Sequence, residues 1–113
     1  MILENGQNIL IVHRRLYADD PARYFIGTVE GYESGIARVT GYSWIVDPFG
    51  SWLSRKEEPR TKIVSLASGT LLIYQLPSGL LVQNVRIDRD NRGQIVLSAP
   101  GFKMDLTERL IHH

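Results

Sequence analysis

Between positions 23 and 46 the chain is a run of β-branched and aromatic residues mixed with small ones, and it is interrupted midway by Glu33-Ser34-Gly35. Such a run with a glycine-containing break predicts two antiparallel strands joined by a tight turn. A three-residue loop that ends in glycine is typical of a type I turn followed by a G1 bulge, because its last position needs a positive φ. The sequence therefore predicts a long β-hairpin with Gly35 at the bulge.

This loop length also predicts a register, which sorts the side chains of the hairpin onto two faces. The pairs predicted on one face are Tyr32 with Ile36, Glu30 with Arg38, Thr28 with Thr40, Ile26 with Tyr42 and Tyr24 with Trp44. Those predicted on the other face are Gly31 with Ala37, Val29 with Val39, Gly27 with Gly41 and Phe25 with Ser43. A two-residue loop would instead place Gly31 opposite Arg38, which is chemically less favourable. One face is thus predicted to be aromatic and the other small and largely apolar.

Two more glycine-ended loops predict two further hairpins. Ala67-Ser68-Gly69 separates apolar runs at 62–66 and 70–74, and Asn91-Arg92-Gly93 separates runs in which Ile87 would face Leu97. Residues 9–17 are predicted to form an opening strand and residues 102–106 a closing one. Short helical turns are expected at most at 80–84 and 107–111.

These elements predict one all-β domain over residues 1–113. Many short strands with frequent turns are typical of a small antiparallel β-barrel, closed or partly open, of about six to eight strands, with a β-sandwich as the alternative. The barrel is preferred because Gly27, Gly31 and Gly41 would relieve crowding where the first hairpin coils sharply.

Charge and cysteine content exclude several classes of function. Thirteen basic residues against twelve acidic ones give a net charge of +1, so no global field would hold a polyanion or an anionic membrane. The absence of cysteine excludes disulfides, thiol catalysis and iron–sulfur clusters.

The apolar run at 9–12 is too short for a signal peptide or a membrane span, which predicts a cytoplasmic location. His112 and His113 could belong to a tag and are set aside.

The chain shows no motif that predicts catalysis, a metal or a cofactor. His13 is the only other histidine, and a general base would need an orienting partner that the sequence does not identify. Residues 88–93 lack the ligand spacing and the final glutamate of a calcium loop. Phosphate-binding loops and nucleophile elbows are absent too. An enzyme is therefore possible but unsupported, and no cofactor or metal site is predicted.

The leading functional hypothesis is a non-enzymatic interaction module that binds protein, as a homo-oligomer. It would use the aromatic hairpin face, the mixed apolar and charged segment at 48–60, or unpaired strand edges. That segment could instead fold back over the aromatic face. The candidate interface residues are Tyr24, Ile26, Tyr42, Trp44, Phe49, Trp52 and Leu53.

Two alternatives remain open. The first is binding of nucleic acid or another polyanion through arginine, lysine and neighbouring tyrosine side chains. The basic residues proposed for it are Arg14, Arg15, Arg23, Arg38, Arg55 and Lys56, with Arg60 and Lys62 nearby. The second is binding of a small molecule in the barrel mouth.

Overall fold

The computed structural model of the chain describes residues 3–14, 21–46 and 53–106. Its strands are β1 (Asn8–His13), β2 (Ala22–Glu33), β3 (Ile36–Val46), β4 (Leu53–Arg55), β5 (Arg60–Ser65), β6 (Leu71–Gln75), β7 (Arg86–Arg89), β8 (Ile95–Ala99) and β9 (Phe102–Asp105). A single 3-10 turn at Val82–Asn84 is the one helical element of the described residues. The all-β prediction is confirmed.

The strands form two antiparallel sheets. The large sheet has the order β4-β3-β2-β1-β6, and β5 pairs with β3 on the same side as β4. Because β4 pairs with 44–46 and β5 with 36–41 of β3, the two form one interrupted edge. The small sheet has the order β7-β8-β9. No helix in the described residues has both the length and the apolar character needed to cross a bilayer.

The first hairpin has the predicted register over most of its length but a different turn. From Tyr24 opposite Trp44 to Val29 opposite Val39 the pairs are as predicted, and the ladder continues to Ala22 opposite Val46. The turn is the two-residue loop of Ser34 and Gly35, with φ of 49° and 78°. Positive φ at both positions is typical of a type I′ turn, whose twist matches that of the strands. The predicted three-residue loop is therefore wrong.

A bulge between Val29 and Gly31 reconciles this turn with the rest of the register. Glu30 is the extra residue, and beyond it Gly31 lies opposite Arg38 and Tyr32 opposite Ala37. One inserted residue on a single strand shifts the pairing by one. The pairs predicted for Glu30, Gly31 and Tyr32 are wrong for this reason.

The second predicted hairpin is wrong, because the strands on either side of its turn do not pair with each other. β5 lies on β3 at one edge of the large sheet, and β6 lies on β1 at the other edge. Residues 66–70 connect the two edges. Turn-forming residues such as those at 67–69 indicate that the chain bends locally, but they do not determine whether the strands before and after the bend pair with each other.

This connection shows that the large sheet is strongly coiled. Ser65 pairs with Ile36 at one corner of the sheet, and Leu71 pairs with His13 at the opposite corner. If the sheet were flat, with about 3.3 Å per residue along a strand and 4.8 Å between strands, these two residues would lie about 35 Å apart. The chain between them can span at most about 21 Å. Opposite corners of the sheet must therefore approach each other.

Hydrogen bonds hold both ends of the connection. The amide of Leu66 donates to the carbonyl of Gly35 (2.8 Å), and the carbonyl of Thr70 accepts from the amide of Arg14 (2.8 Å). No ladder among the described strands joins β5 to β6, so the sheet is not closed. A closed barrel is not confirmed, and an open coiled sheet or a sandwich fits the strand pairing.

The third predicted hairpin is confirmed in loop and register. Arg86 pairs with Ser98 and Ile87 with Leu97, as expected. Gly93 has a φ of 78°, and its amide donates to the carbonyl of Asp90 (3.0 Å). These are the features of a type I turn followed by a glycine bulge.

Both faces of the large sheet are buried, each in its own core. The sheet coils toward its inner face, whose core contains the buried strand residues Ile9, Ile11, Phe25, Val29, Ala37 and Val39 together with Leu3, which precedes β1. Partly buried residues pack against this core, and they include Val64 and Leu66 near one edge and Leu71 and Ile73 near the other. Residues from both edges meet in one cluster, as the coiling requires.

The outer face is covered by the small sheet. Its core contains Leu10, Tyr24, Ile26, Trp44, Val46 and Leu76 from the large sheet and connection, with Val85, Ile87, Leu97 and Leu106 from the C-terminal region. The aromatic face of the first hairpin is therefore packed against β7–β9. Of the cover proposed from the sequence, residues 48–60, positions 48–52 lie outside the described residues, and Leu53–Arg55 pair with β3 as strand β4.

Candidate anion-binding site

Five basic side chains line one cleft at the end of the inner face that is remote from the Ser34-Gly35 turn. They are His13, Arg23, Lys56, Arg60 and Lys62, and we call the site the cationic cleft. It has a volume of about 290 Å³, and its lining also includes Ser43 and Ile45. No carboxylate from the described residues lines it.

Strand alternation explains why these side chains converge. His13 pairs directly with Arg23, so both point to the inner face beside each other. On the opposite edge, Lys62 pairs with Val39 and Arg60 with Gly41, two inner-face positions of β3. Elements separated by about 50 residues in sequence thus supply one cluster.

Lys56 is held near the same cleft by its backbone. Its amide donates to the carbonyl of Ser43 (2.9 Å), in the gap between β4 and β5. The interruption of this edge therefore places an additional cation beside the paired strands.

Lys62 crosses the inner face to reach an aromatic ring. Its Nζ lies 4.7 Å from the centroid of the Phe25 ring, which is fully buried. Between the Lys62 and Phe25 positions stands the pair Gly27–Gly41, which presents no side chain. An ammonium over a ring face is stabilised by the ring quadrupole, and this contact fixes the direction of the lysine.

Gly27 and Gly41 are needed because the two backbones approach closely. A Cβ on Gly27 would lie 2.7 Å from the carbonyl oxygen of Thr40, and a Cβ on Gly41 would overlap the carbonyl of Ile26. The prediction that these glycines relieve crowding in a coiled hairpin is confirmed at these positions. The tight approach brings the cationic cleft close to the inner core.

The charges in the cationic cleft repel one another. Partial burial lowers the pKa of His13, and the nearby cations Lys62 and Arg23 lower it further. The pKa of Lys62 is lowered in the same way, first by burial and then by Arg23 and Arg60. Both groups thus lie in a positive potential, which a bound anion would relieve.

A larger groove at the other end of the hairpin is a weaker candidate. It has a volume of about 780 Å³ and is lined by Asn5, 30–34, Ile36, Arg38 and Ile63. Two carboxylates, of Glu30 and Glu33, lie beside its single cation, Arg38. Glu30 also accepts a hydrogen bond from the Thr40 hydroxyl (2.7 Å). The groove therefore lacks the concentration of cations that the cationic cleft has.

Three of the four candidate interface residues of the hairpin lie in the core. Tyr24, Ile26 and Trp44 are 6%, 1% and 5% exposed. Tyr42 is partly buried beneath the guanidinium of Arg55, 4.9 Å from its ring centroid. Tyr24, Ile26 and Trp44 pack between the two sheets, and binding of a partner through the hairpin stays a prediction. Phe49 and Trp52 lie outside the described residues, and Leu53 pairs with Val46.

The basic residues proposed from the sequence are spread over different parts of the molecule. Arg23 and Lys56 lie in the cationic cleft, together with Arg60 and Lys62. Arg14 donates to the carbonyl of Gly69 (3.1 Å), and Arg55 to that of Gln83 (3.1 Å).

The remaining proposed cations do not join the cleft. Arg55 also lies 3.8 Å from Glu57, and Arg38 lines the groove at the hairpin tip. Arg15 lies outside the described residues.

His13 is the residue of the cleft that sequence reasoning missed. The sequence identifies no partner for this histidine, because its neighbours Arg23 and Lys62 come from other strands and lie beside it only in the folded sheet. The one available indication was its alternation with Ile9 and Ile11, which places it on the same face of β1.

The described residues contain no group of three or more His, Asp or Glu side chains arranged to hold a metal ion. The charged side chains that line the cleft in the described part of the chain are all basic. Arginine offers a planar fork of N–H groups, lysine a compact charge, and a protonated histidine two further donors.

Comparison of the chain with profiles of known protein families, with curated proteins and with solved structures finds no match.

Proposed function

We propose that this domain is a non-enzymatic binding module that takes a compact phosphate-bearing anion in the cationic cleft. The observation that carries the proposal is the convergence of His13, Arg23, Lys56, Arg60 and Lys62 on one cleft without a carboxylate from the described residues. Cations gathered against mutual repulsion store an unfavourable interaction that an anion removes.

The donor set favours phosphate over a simple carboxylate. Arg23 and Arg60 can each offer two parallel N–H groups to a pair of oxygens, and Lys62 adds a charge whose direction is fixed over Phe25. A tetrahedral phosphate has enough oxygens to accept from several donors at once, which a carboxylate does not. Partial burial of His13 and Lys62 strengthens such contacts because water screens them less.

The size of the cleft favours a compact ligand. A volume of about 290 Å³ lies just below the range of drug-sized ligand sites. The net charge of +1 supplies no broad field along which an extended polyanion would lie. A terminal or isolated phosphate group suits both observations better than a long nucleic-acid strand.

The position of the cleft is consistent with the predicted barrel architecture. The cleft lies at one end of the coiled inner face, where a partly open barrel would have its mouth. In this proposal the coiled sheet is such a barrel, and the second alternative drawn from the sequence, binding in a barrel mouth, describes the same site. Small barrels commonly use this position for ligands.

Calorimetric titration with three probes tests the proposal. The probes are inorganic phosphate, a nucleoside triphosphate and a single-stranded oligonucleotide, each at about 50 mM and 200 mM salt. We expect saturable binding of the two small probes. Tighter binding of the oligonucleotide with a steep salt dependence would assign the cleft to nucleic acid instead, and no binding of any probe at low salt would refute the proposal.

Matched variants connect binding to the cleft. Arg60→Gln and Lys62→Met remove one charge each, and we expect each to weaken binding about tenfold, which corresponds to about 1.4 kcal/mol. Arg86→Gln and Lys103→Met remove the same charges from exposed positions on the small sheet and should leave the affinity within about twofold. Equal losses in both sets would mean that only net charge matters and that the cleft is not a site.

A further inference from the structure

The edges of the two sheets differ in how they are protected against pairing. β4, β5, β7 and β9 each contain at least one charged residue, and Pro59 lies in the interruption between β4 and β5. Charges and prolines on edge strands are the usual means by which proteins prevent edge-to-edge association. β6, with the sequence Leu-Leu-Ile-Tyr-Gln, is the one edge strand of the described residues that contains neither.

On the side away from β1, the backbone of β6 has hydrogen-bonding groups that no other described residue satisfies. The bonds from Arg14 to Thr70 and from Leu76 to Asn8 show that even-numbered residues of this strand exchange hydrogen bonds with β1. In an antiparallel ladder the intervening residues point their N–H and C=O groups the other way. For Leu71, Ile73 and Gln75 these groups have no partner among the described residues.

Two copies of this edge are complementary to each other. An antiparallel pairing centred on Ile73 places Leu71 opposite Gln75 of the second copy, so the outward groups of both strands meet in phase. The same register places Leu72 opposite Tyr74 on the outer face, an aliphatic-aromatic pair. No like charges are brought together, because β6 has none.

We propose that two copies of this chain associate through β6, joining their large sheets into one continuous antiparallel sheet. Leu72 is 38% exposed in the single chain and would be covered by the partner's Tyr74. A second copy fits this edge because the pairing is two-fold symmetric, as most homodimers are. The interface needs no ligand, so its failure would leave the anion-binding proposal standing.

Light scattering after size exclusion, over a range of micromolar concentrations, measures the association. We expect twice the monomer mass at high concentration and dissociation on dilution, because one strand pair buries little surface. A monomer at every concentration would overturn the proposal, and assemblies larger than a dimer would too, since pairing of this edge closes after two copies.

Three variants test the location of the interface. Leu72→Lys places a charge on the unprotected edge and should give a monomer. Gln75→Pro removes an N–H that points away from β1 and should also give a monomer while leaving the internal ladder intact. Ile63→Lys is the matched control, because Ile63 is a more exposed residue (74%) on the opposite edge, and it should leave the dimer unchanged.

The reverse pattern, in which Ile63→Lys alone abolishes association, would place the interface on β5 and refute the assignment to β6. Hydrogen exchange gives a second measurement on the unaltered chain. The amides of Leu71, Ile73 and Gln75 should become protected as concentration rises. Unchanged exchange at these amides in a dimer would overturn the proposal as well.

Discussion

The pair Gly27–Gly41 yields the most stringent test of the fold. We expect Gly41→Ala to destabilise the domain strongly, because the new Cβ would overlap the carbonyl of Ile26 and the Cα of Gly27. Both neighbours are backbone atoms, so no change of side-chain rotamer can relieve the overlap. The strands β2 and β3 would have to move apart.

The expected magnitude follows from what surrounds the glycine pair. Val29 and Val39, the next inner-face pair, are almost fully buried, so movement of the strands would also disturb the packed core. Overpacking of a core costs about 1–3 kcal/mol, and an overlap with rigid backbone should reach or exceed the upper value. A chain of this length has a total stability of about 6–17 kcal/mol.

The assay is equilibrium unfolding in urea, followed by tryptophan fluorescence because Trp44 is buried. A loss of about 3 kcal/mol should lower the midpoint without changing the slope, and should lower Tm by about 10 °C or more. Gly69→Ala is the matched control, since its Cβ would meet nothing within 4 Å. A Gly41→Ala variant within about 1 kcal/mol of the Gly69→Ala variant would refute the close approach and with it the tight coiling of the hairpin.

Two further predictions concern pH and a buried amide. Since burial and nearby cations lower the pKa of His13, an anion in the cleft should raise it again, so binding takes up protons and sulfate affinity should increase as pH falls from about 8 to 5.5. His13→Gln should flatten this pH profile of sulfate affinity in calorimetry. Without ligand, the free energy of unfolding of the wild type should fall as pH drops below the pKa of histidine in the unfolded chain, because there the unfolded chain binds the proton more readily than the folded one. Asn8→Ala should cost about 2–4 kcal/mol in urea unfolding, because the buried Asn8 donates to the carbonyls of Leu80 (2.8 Å) and Pro77 (3.3 Å) and accepts from the Thr28 hydroxyl (2.8 Å). A loss below about 0.5 kcal/mol would show that these contacts are not made.

The sequence predicted those parts of the fold that depend on neighbouring residues. The loop at 91–93 is correct because its turn is set locally by Gly93 and by the Asp90 side chain, which accepts from the amides of Arg92 (2.8 Å) and Gln94 (2.9 Å). The loop at 67–69 has similar residues, but its flanking strands pair with β3 and β1, which lie elsewhere in the chain. Partner choice is a property of the whole sheet and is not encoded in the turn.

The candidate site was less predictable from the sequence than the turns, because its residues come together only when distant strands pair. The sequence grouped Arg23 and Lys56, which line the same cleft, with Arg38 and Arg55, which the structure places elsewhere. The burial of Trp44 could not be anticipated, because its cover is a separate sheet formed near the C-terminus. Whether the domain self-associates stays a prediction.

The connection at 66–70 has a consequence for the order of folding. β6 pairs with β1 across a separation of about 60 residues, from His13 with Leu71 to Ile9 with Gln75, whereas β2 and β3 meet across a two-residue turn. Closing the longer loop carries a larger entropic cost, so the β2–β3 hairpin should form early and β6 should be added late. Until β6 pairs with it, β1 is itself an edge strand with one unpaired side. The folding chain thus exposes first β1 and then β6, two edge strands rich in aliphatic residues. How strongly it aggregates should therefore depend on how quickly residues 66–70 bring β6 onto β1.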